Sequence, residues 1–245
     1  MGRPMAPQQL QQQARGASPV VCQGVKLDAA MQALLEDAIA RSTCTVGDRV
    51  GIIGLKFAEE NLKEGCPIME SAIRLALYLR DYRNKQIAGR TVLELGTGIG
   101  VAGLTMAAFG ANVLLTDLPE VVPVASKNVN KNADLVKGAG GLAQVAALDW
   151  SNPPAELVTG PWDYIIGSDL VYDESSPDAL APVLSRLLGA SPRATVLLSH
   201  VHRTDAIDDH MTQVFQQHGL DIGLAPRDGE DKGEDDVSII MVRRL

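Results

Sequence analysis

Residues 92 to 100 read VLELGTGIG, an apolar run carrying one acid, Glu94, followed by glycines at alternate positions, Gly96, Gly98 and Gly100. Glycines between a strand and a helix let the backbone approach a ligand closely, and the helix N-terminus that follows favours an electron-rich group. Two kinds of nucleotide suit such a turn. Gly98, Gly100 and Gly103 satisfy the dinucleotide pattern G-x-G-x-x-G, with Asp117 close to the distance of a ribose-binding acid, which is an oxidoreductase reading. That register buries Glu94 in mid-strand, where a lone carboxylate is costly. With the turn starting at Gly96, Glu94 stands at the strand end, beside the site and facing a cationic ligand. S-adenosyl-L-methionine brings an ammonium and a sulfonium, whereas a nicotinamide dinucleotide brings a pyrophosphate that an acid repels. The first strand therefore favours the sulfonium cofactor.

Three further groups of residues bear on chemistry. SDLVY, residues 168 to 172, places Asp169 and Tyr172 after another apolar run. Ligands of open α/β sheets gather outside the carboxyl ends of strands, although a strand-end turn with a packed tyrosine would have the same sequence. His200 and His202, with Asp205, Asp208 and His210 downstream, invite a metal reading, but methyl transfer needs no metal, and the histidines could instead border a substrate channel. Asn152-Pro153-Pro154 is part of the signature of adenine- or glutamine-directed methyltransferases. Ala155 replaces its aromatic residue and the segment precedes the fourth strand, so amide and nucleobase targets are disfavoured.

The elements that must position these residues follow a regular order. Strand-like runs occur at 91–95, 112–116, 143–147, 164–168 and 194–199, and helical patterns at 101–110, 121–132 and 178–189 separate most of them. That alternation predicts a parallel sheet with both faces covered. LDIGLA and VSIIMVRRL bracket a polar turn with no helix between them and should pair antiparallel. Upstream, 27–40 and 69–82 have helical spacing, with a strand or hairpin at 49–57 between them. The uncharged stretch Leu95 to Thr116 is long enough to span a bilayer, but its five glycines and changing periodicity make it turn, helix and strand.

VLELGTGIGVAGLTMAAFGANVLLTDLPE, then LDW at 148 to 150, then WDYIIGSDLVY at 162 to 172, resembles the seven-β-strand methyltransferases, and within them the non-histone protein lysine methyltransferases of the methyltransferase-like 21 type. The resemblance runs from about Gly65 to the C-terminus. It implies a Rossmann-like α/β fold, a seven-stranded mostly parallel sheet with an antiparallel C-terminal hairpin and helices on both faces. It also implies methyl transfer from S-adenosyl-L-methionine to a lysine of another protein. Gly96, Thr97 and Gly98 would wrap the methionine and ribose part of the cofactor, and Asp117 would accept the ribose hydroxyls. Trp150 would pack by the adenine with Asp149 beside it, and Ser168 would line the pocket. Asp169 and Tyr172 would be catalytic, holding and orienting the target amine. Where the family commonly has tryptophan before an acid, this chain has Met69 before Glu70, which keeps apolar contact but loses the indole plane and N–H. Helix capping by Asp117 and a core role for Trp150 are the competing readings.

The 245 residues, 46% of them hydrophobic, suit one well-buried domain at 68–245, preceded by a disordered glutamine-rich tail (1–20) and a helix and strand decoration (21–67). Twenty-two basic against 30 acidic residues, a net charge of −8, argue against a phosphate-tracking nucleic-acid binder and favour a basic partner. Cys22, Cys44 and Cys66 have no metal-like spacing and suit thiols in a reducing compartment. The expectation is thus a cytoplasmic monomer with a lysine-bearing protein substrate, no metal, no nucleic acid and no membrane partner. Arg3 and Arg15, with no acid before Asp28, leave organelle targeting as an alternative address. A small-molecule amine methyltransferase and a catalytically silent cofactor-binding interaction module are the alternative functions.

Overall fold

The computed structural model describes Leu55, Phe57 and residues 70–226 and 237–245. The tail, most of the 21–67 decoration, Met69 and the three cysteines lie outside the described residues. Helix α1 (Glu70–Tyr78) continues through a π-helical turn (Leu79–Arg83) into the short α2 (Asn84–Ile87). Then follow β1 (Thr91–Leu95), α3 (Val101–Ala108), β2 (Asn112–Asp117), α4 (Val122–Lys131), α5 (Ala133–Gly138), β3 (Leu142–Ala147), α6 (Ala155–Val158) and β4 (Tyr164–Ser168). The chain ends with α7 (Ser176–Ala190), β5 (Thr195–Val201), α8 (Asp205–Gln217), β6 (Leu220–Leu224) and β7 (Val237–Arg244).

The strands form one sheet in the order β3-β2-β1-β4-β5-β7-β6, parallel except where β7 pairs antiparallel with both β5 and β6. The Leu95 to Thr116 stretch is indeed turn, helix and strand, and no helix among the described residues is long and apolar enough to cross a membrane. Side-chain alternation divides the interior into two cores. Val92, Leu115, Ile166 and Leu197 face one core with α1 and α3, joined by Leu55 and Phe57. Leu93, Leu114, Ile165 and Leu198 face the other, with Leu180, Leu184 and Leu187 of α7 and Met211, Val214 and Phe215 of α8. At about 25 cal/mol per Å² of apolar surface removed from water, two covered faces make burial the dominant stabilising term.

Two features go beyond the sequence reading. The C-terminal strands do pair antiparallel, but β7 inserts between β5 and β6 instead of extending the sheet in chain order. Helix α8 has a weak sequence pattern, because Asp205, Asp208 and Asp209 crowd its first turns and only Met211, Val214 and Phe215 are buried. Its start is marked by Thr204, whose hydroxyl accepts from the Ile207 amide at 3.3 Å.

Candidate active site

The glycine turn is held from below by Glu94. This carboxylate is 1% exposed, accepts hydrogen bonds from the Thr97 hydroxyl and, at 3.1 Å, from the Gly103 amide in the first turn of α3. The sequence placed it at the face of the site, toward a cation. Instead it lies beneath the loop, so its contact with a bound ligand would run through the residues it holds. Burial pushes its carboxyl up to about 8, with the Thr97 and Gly103 hydrogen bonds opposing and the charge of Asp117 adding to the rise. The loop is tied sideways as well: the Thr97 amide donates to the Thr116 carbonyl at 2.9 Å and the Asn128 side chain to the Ile99 carbonyl at 2.8 Å.

Asp117 ends β2 beside this turn. One carboxylate oxygen accepts from the Gly98 amide and the other from the Leu118 amide, both at 2.7 Å. Burial raises its carboxyl above the usual range, against the pull of those two bonds. It does not cap the following helix, whose first position follows Val121 without a side-chain cap. The LDW segment reaches the same place because the Leu148 amide donates to the Asp117 carbonyl at 2.8 Å. Asp149 is exposed and folds onto Ser151, accepting from its amide and hydroxyl, which hold its carboxyl low.

Gly96, with φ at 57°, brings the segments together. A Cβ there would lie 2.7 Å from a Leu170 methyl carbon and 3.6 Å from the Trp150 ring. Gly98, with φ at 54°, faces open space, with nothing within 4 Å of where its Cβ would be. The structure therefore assembles Gly96, Thr97, Gly98, Asp117, Trp150 and Ser168 at the carboxyl ends of β1, β2, β3 and β4. Met69 is outside the described residues. Asn152-Pro153-Pro154 lies before β4, as read from sequence, with Pro154 preceding α6.

The 169–173 segment is fixed at both ends. Asp169 adopts φ 56°, the only non-glycine with positive φ among the described residues, and its amide donates to the Ser199 carbonyl at 2.8 Å. Leu170 and Val171 are buried, whereas Tyr172 is 58% exposed. Asp173 then accepts from the amides and hydroxyls of Ser175 and Ser176, which keep its carboxyl low. Tyr172 thus projects from a loop that is hydrogen-bonded on both sides of it.

Sequence reasoning missed Arg203. Its Nη2 lies 2.8 Å from Asp169 Oδ1 and 2.9 Å from Oδ2, with the hydrogen bond directed at Oδ2. Oδ1 is buried and accepts no hydrogen bond. The signal in the sequence is a cation directly after the fifth strand, next to the histidines on either side of Val201. His200 and His202 share one carboxylate, Asp208, at 2.8 and 2.7 Å. Partial burial pushes Asp208 up, but the His202 and His200 hydrogen bonds outweigh it and hold its carboxyl low. No group of three metal-ligating side chains is assembled among the described residues.

A protein-family model described as lysine methyltransferase matches residues 50–217. The EEF1A lysine methyltransferase 3 of Xenopus tropicalis is 29% identical over 184 residues, 75% of this chain and 77% of that protein. The protein N-lysine methyltransferase METTL21A of Danio rerio is 31% identical over 153 residues, 62% of this chain and 68% of that protein. Among solved structures, the glycopeptide N-methyltransferase MtfA complexed with sinefungin superposes with a TM-score of 0.55 at 13% identity, covering 73% of this chain and 95% of that one. That likeness concerns the fold.

Proposed function

The chain belongs to the lysine methyltransferase family, and from that premise we propose that it transfers a methyl group from S-adenosyl-L-methionine to a lysine side chain of another protein. The observation that carries the reading is Leu170, packed over Gly96 and Gly167, which joins the Asp169–Tyr172 segment to the glycine turn. A cofactor cradle and an amine-holding group are thereby built as one unit.

The residues present fit S-adenosyl-L-methionine. Open space over Gly98, a half-buried carboxylate at Asp117 and an aromatic face at Trp150 match a ribose and an adenine, while Gly96, Thr97 and Ser168 line the remainder. When bound, the group supplies a methyl already activated on a sulfonium. The chain must then present an amine with its lone pair available. Lysine has an unperturbed pKa of about 10.4, leaving only about one part in a thousand neutral near pH 7.4. A pocket that removes water and lies close to a cation lowers that pKa. Asp169, whose carboxylate has lone pairs beyond those facing Arg203, accepts from the amine. Tyr172 orients it or turns its ring toward the cationic centres. Close positioning and exclusion of water supply the rest.

The expected setting is cytoplasmic, with the chain acting as a monomer on a protein partner. Incubation with radiolabelled S-adenosyl-L-methionine and a cell extract tests the reading. A labelled protein band whose label resides on lysine is expected. Label in small molecules alone would move the assignment to a metabolite amine, and no label at all would leave a silent binding module.

A further inference from the structure

The Asp169 carboxylate is shared with a cation that belongs to the protein. Arg203 follows β5, and its guanidinium reaches Asp169 with one arm while the other donates to the Val171 carbonyl at 3.0 Å and the Val201 carbonyl at 3.4 Å. The pair is only partly open to solvent, with the Arg203 side chain 28% and that of Asp169 8% exposed. The surrounding charges are otherwise engaged. Asp208 of α8 is bound by His200 and His202, Asp205 lies 3.8 Å from His202, and Asp173 is bound by Ser175 and Ser176. On the neighbouring strands, Asp117 accepts from Gly98 and Leu118, and Glu94 from Thr97 and Gly103. Asp169 is therefore the carboxylate that Arg203 neutralises.

We propose that Arg203 is a positioning residue that sets the protonation state in which the target lysine is accepted, by pairing with Asp169 so that the site holds a neutral amine without stabilising the ammonium. The inference rests on the reading of Asp169 as the group that holds the amine. A lone carboxylate beside a lysine favours its charged form and raises its pKa by roughly 1 to 3 units, which opposes methylation because an ammonium has no lone pair. A guanidinium on the same carboxylate offsets that field. Because arginine stays charged across the working pH range, the offset does not vary with pH. The Asp169 carboxylate keeps lone pairs that Arg203 does not use, so it can still accept from the amine while the electrostatic preference for the ammonium is removed. The hold on Val171 fixes the residue before Tyr172, so the same side chain sets both charge and aim.

Two variants separate charge from geometry. Arg203→Gln keeps a donor toward Asp169 but removes the positive charge, and Arg203→Lys keeps the charge but loses the second arm. The full chain is assayed with radiolabelled S-adenosyl-L-methionine and, as substrate, the protein labelled in the extract experiment, after purification. In wild type, kcat rises with pH as the bound amine loses its proton. With the cation gone, the bound lysine keeps its proton to higher pH, so the rising limb of Arg203→Gln should move up by about one pH unit or more. Its kcat near pH 7 should fall at least roughly tenfold and recover toward pH 9.5, with KM unchanged or lower. Arg203→Lys should keep the wild-type limb while its kcat falls at every pH. A uniform, pH-independent loss in Arg203→Gln, or a shifted limb in Arg203→Lys, overturns the proposal. Failure of wild type to label any protein lysine overturns the functional reading instead, and the inference with it.

Discussion

The Gly103 amide donates to the Glu94 carboxylate across 3.1 Å at a position where α3 has no room for a side chain. A Cβ at 103 would collide with that carboxylate and lie 3.0 Å from Leu115 Cγ. The glycine that completes the dinucleotide-like pattern is thus required by a buried acid, through contact between helix and strand. Gly103→Ala is expected to lower stability by about 1 to 3 kcal/mol, as overpacking of a filled interior does. Chemical denaturation measures it, and an unchanged midpoint and slope would mean that the helix can shift without cost.

Glu94 makes stability depend on pH in a predictable direction. Its carboxyl is raised from 4.5 to about 8 in the folded chain, so the folded state binds the extra proton between those values. Its contribution is complete below about 4.5 and is lost as pH rises through about 8. At about 1.4 kcal/mol per pH unit, the interval sets an upper limit of roughly 5 kcal/mol. Glu94→Gln resembles the protonated acid, with a carbonyl for Gly103 and a donor for Thr97. Unfolding free energies of both proteins from pH 5 to 9 should therefore diverge in favour of the variant as pH rises. A constant difference across that range would show that Glu94 is already ionised in the native state.

Removing the Asp117 carboxylate leaves the Gly98 amide without its 2.7 Å acceptor and, on the functional reading, leaves the ribose hydroxyls unmatched. Asp117→Ala should weaken S-adenosyl-L-methionine binding by roughly 1 to 3 kcal/mol. Isothermal calorimetry reads this directly, and undiminished affinity would place Asp117 in loop architecture alone.

Asp169→Asn and Tyr172→Phe separate turnover from binding. Both should fold and bind the cofactor nearly as wild type does, while methylation falls by roughly two to four orders of magnitude for the asparagine variant and by less for phenylalanine. The order follows from the ion pair, since asparagine leaves the Arg203 guanidinium without its carboxylate, whereas phenylalanine removes only a hydroxyl. Full activity of Asp169→Asn on a protein substrate would make the DLVY segment a structural turn and remove the lysine-specific role from it.

Local patterns were legible where one element determines them. The 91–95 and 164–168 runs coincide with β1 and β4, because fully buried parallel strands are continuous apolar runs with clear borders. The residues expected on the cofactor side, from Gly96 to Ser168, fall at the carboxyl ends of neighbouring strands. What stayed hidden depends on contacts between distant segments. Arg203 meets Asp169 across 34 positions, and nothing in HVHRTD names its partner. Glu94 shows why position along a strand differs from direction: its number places it at the strand end beside the glycine turn, but its side chain turns under the loop toward α3. The insertion of β7 has no local signature, since antiparallel pairing with β6 reads the same at a sheet edge or inside it.

That insertion has a bearing on biosynthesis. Until Val237–Arg244 has left the ribosome, β5 exposes an unpaired edge of Val196, Leu197, Leu198 and their neighbours, the kind of surface that captures other strands. A chain without that strand still carries β1 to β5, the glycine turn and the Asp169 segment, yet it cannot seal its sheet. Nonsense or frameshift alleles that spare every site residue but remove the last strand should therefore yield aggregates or chaperone-bound chains, with the loss showing in abundance before it shows in catalysis.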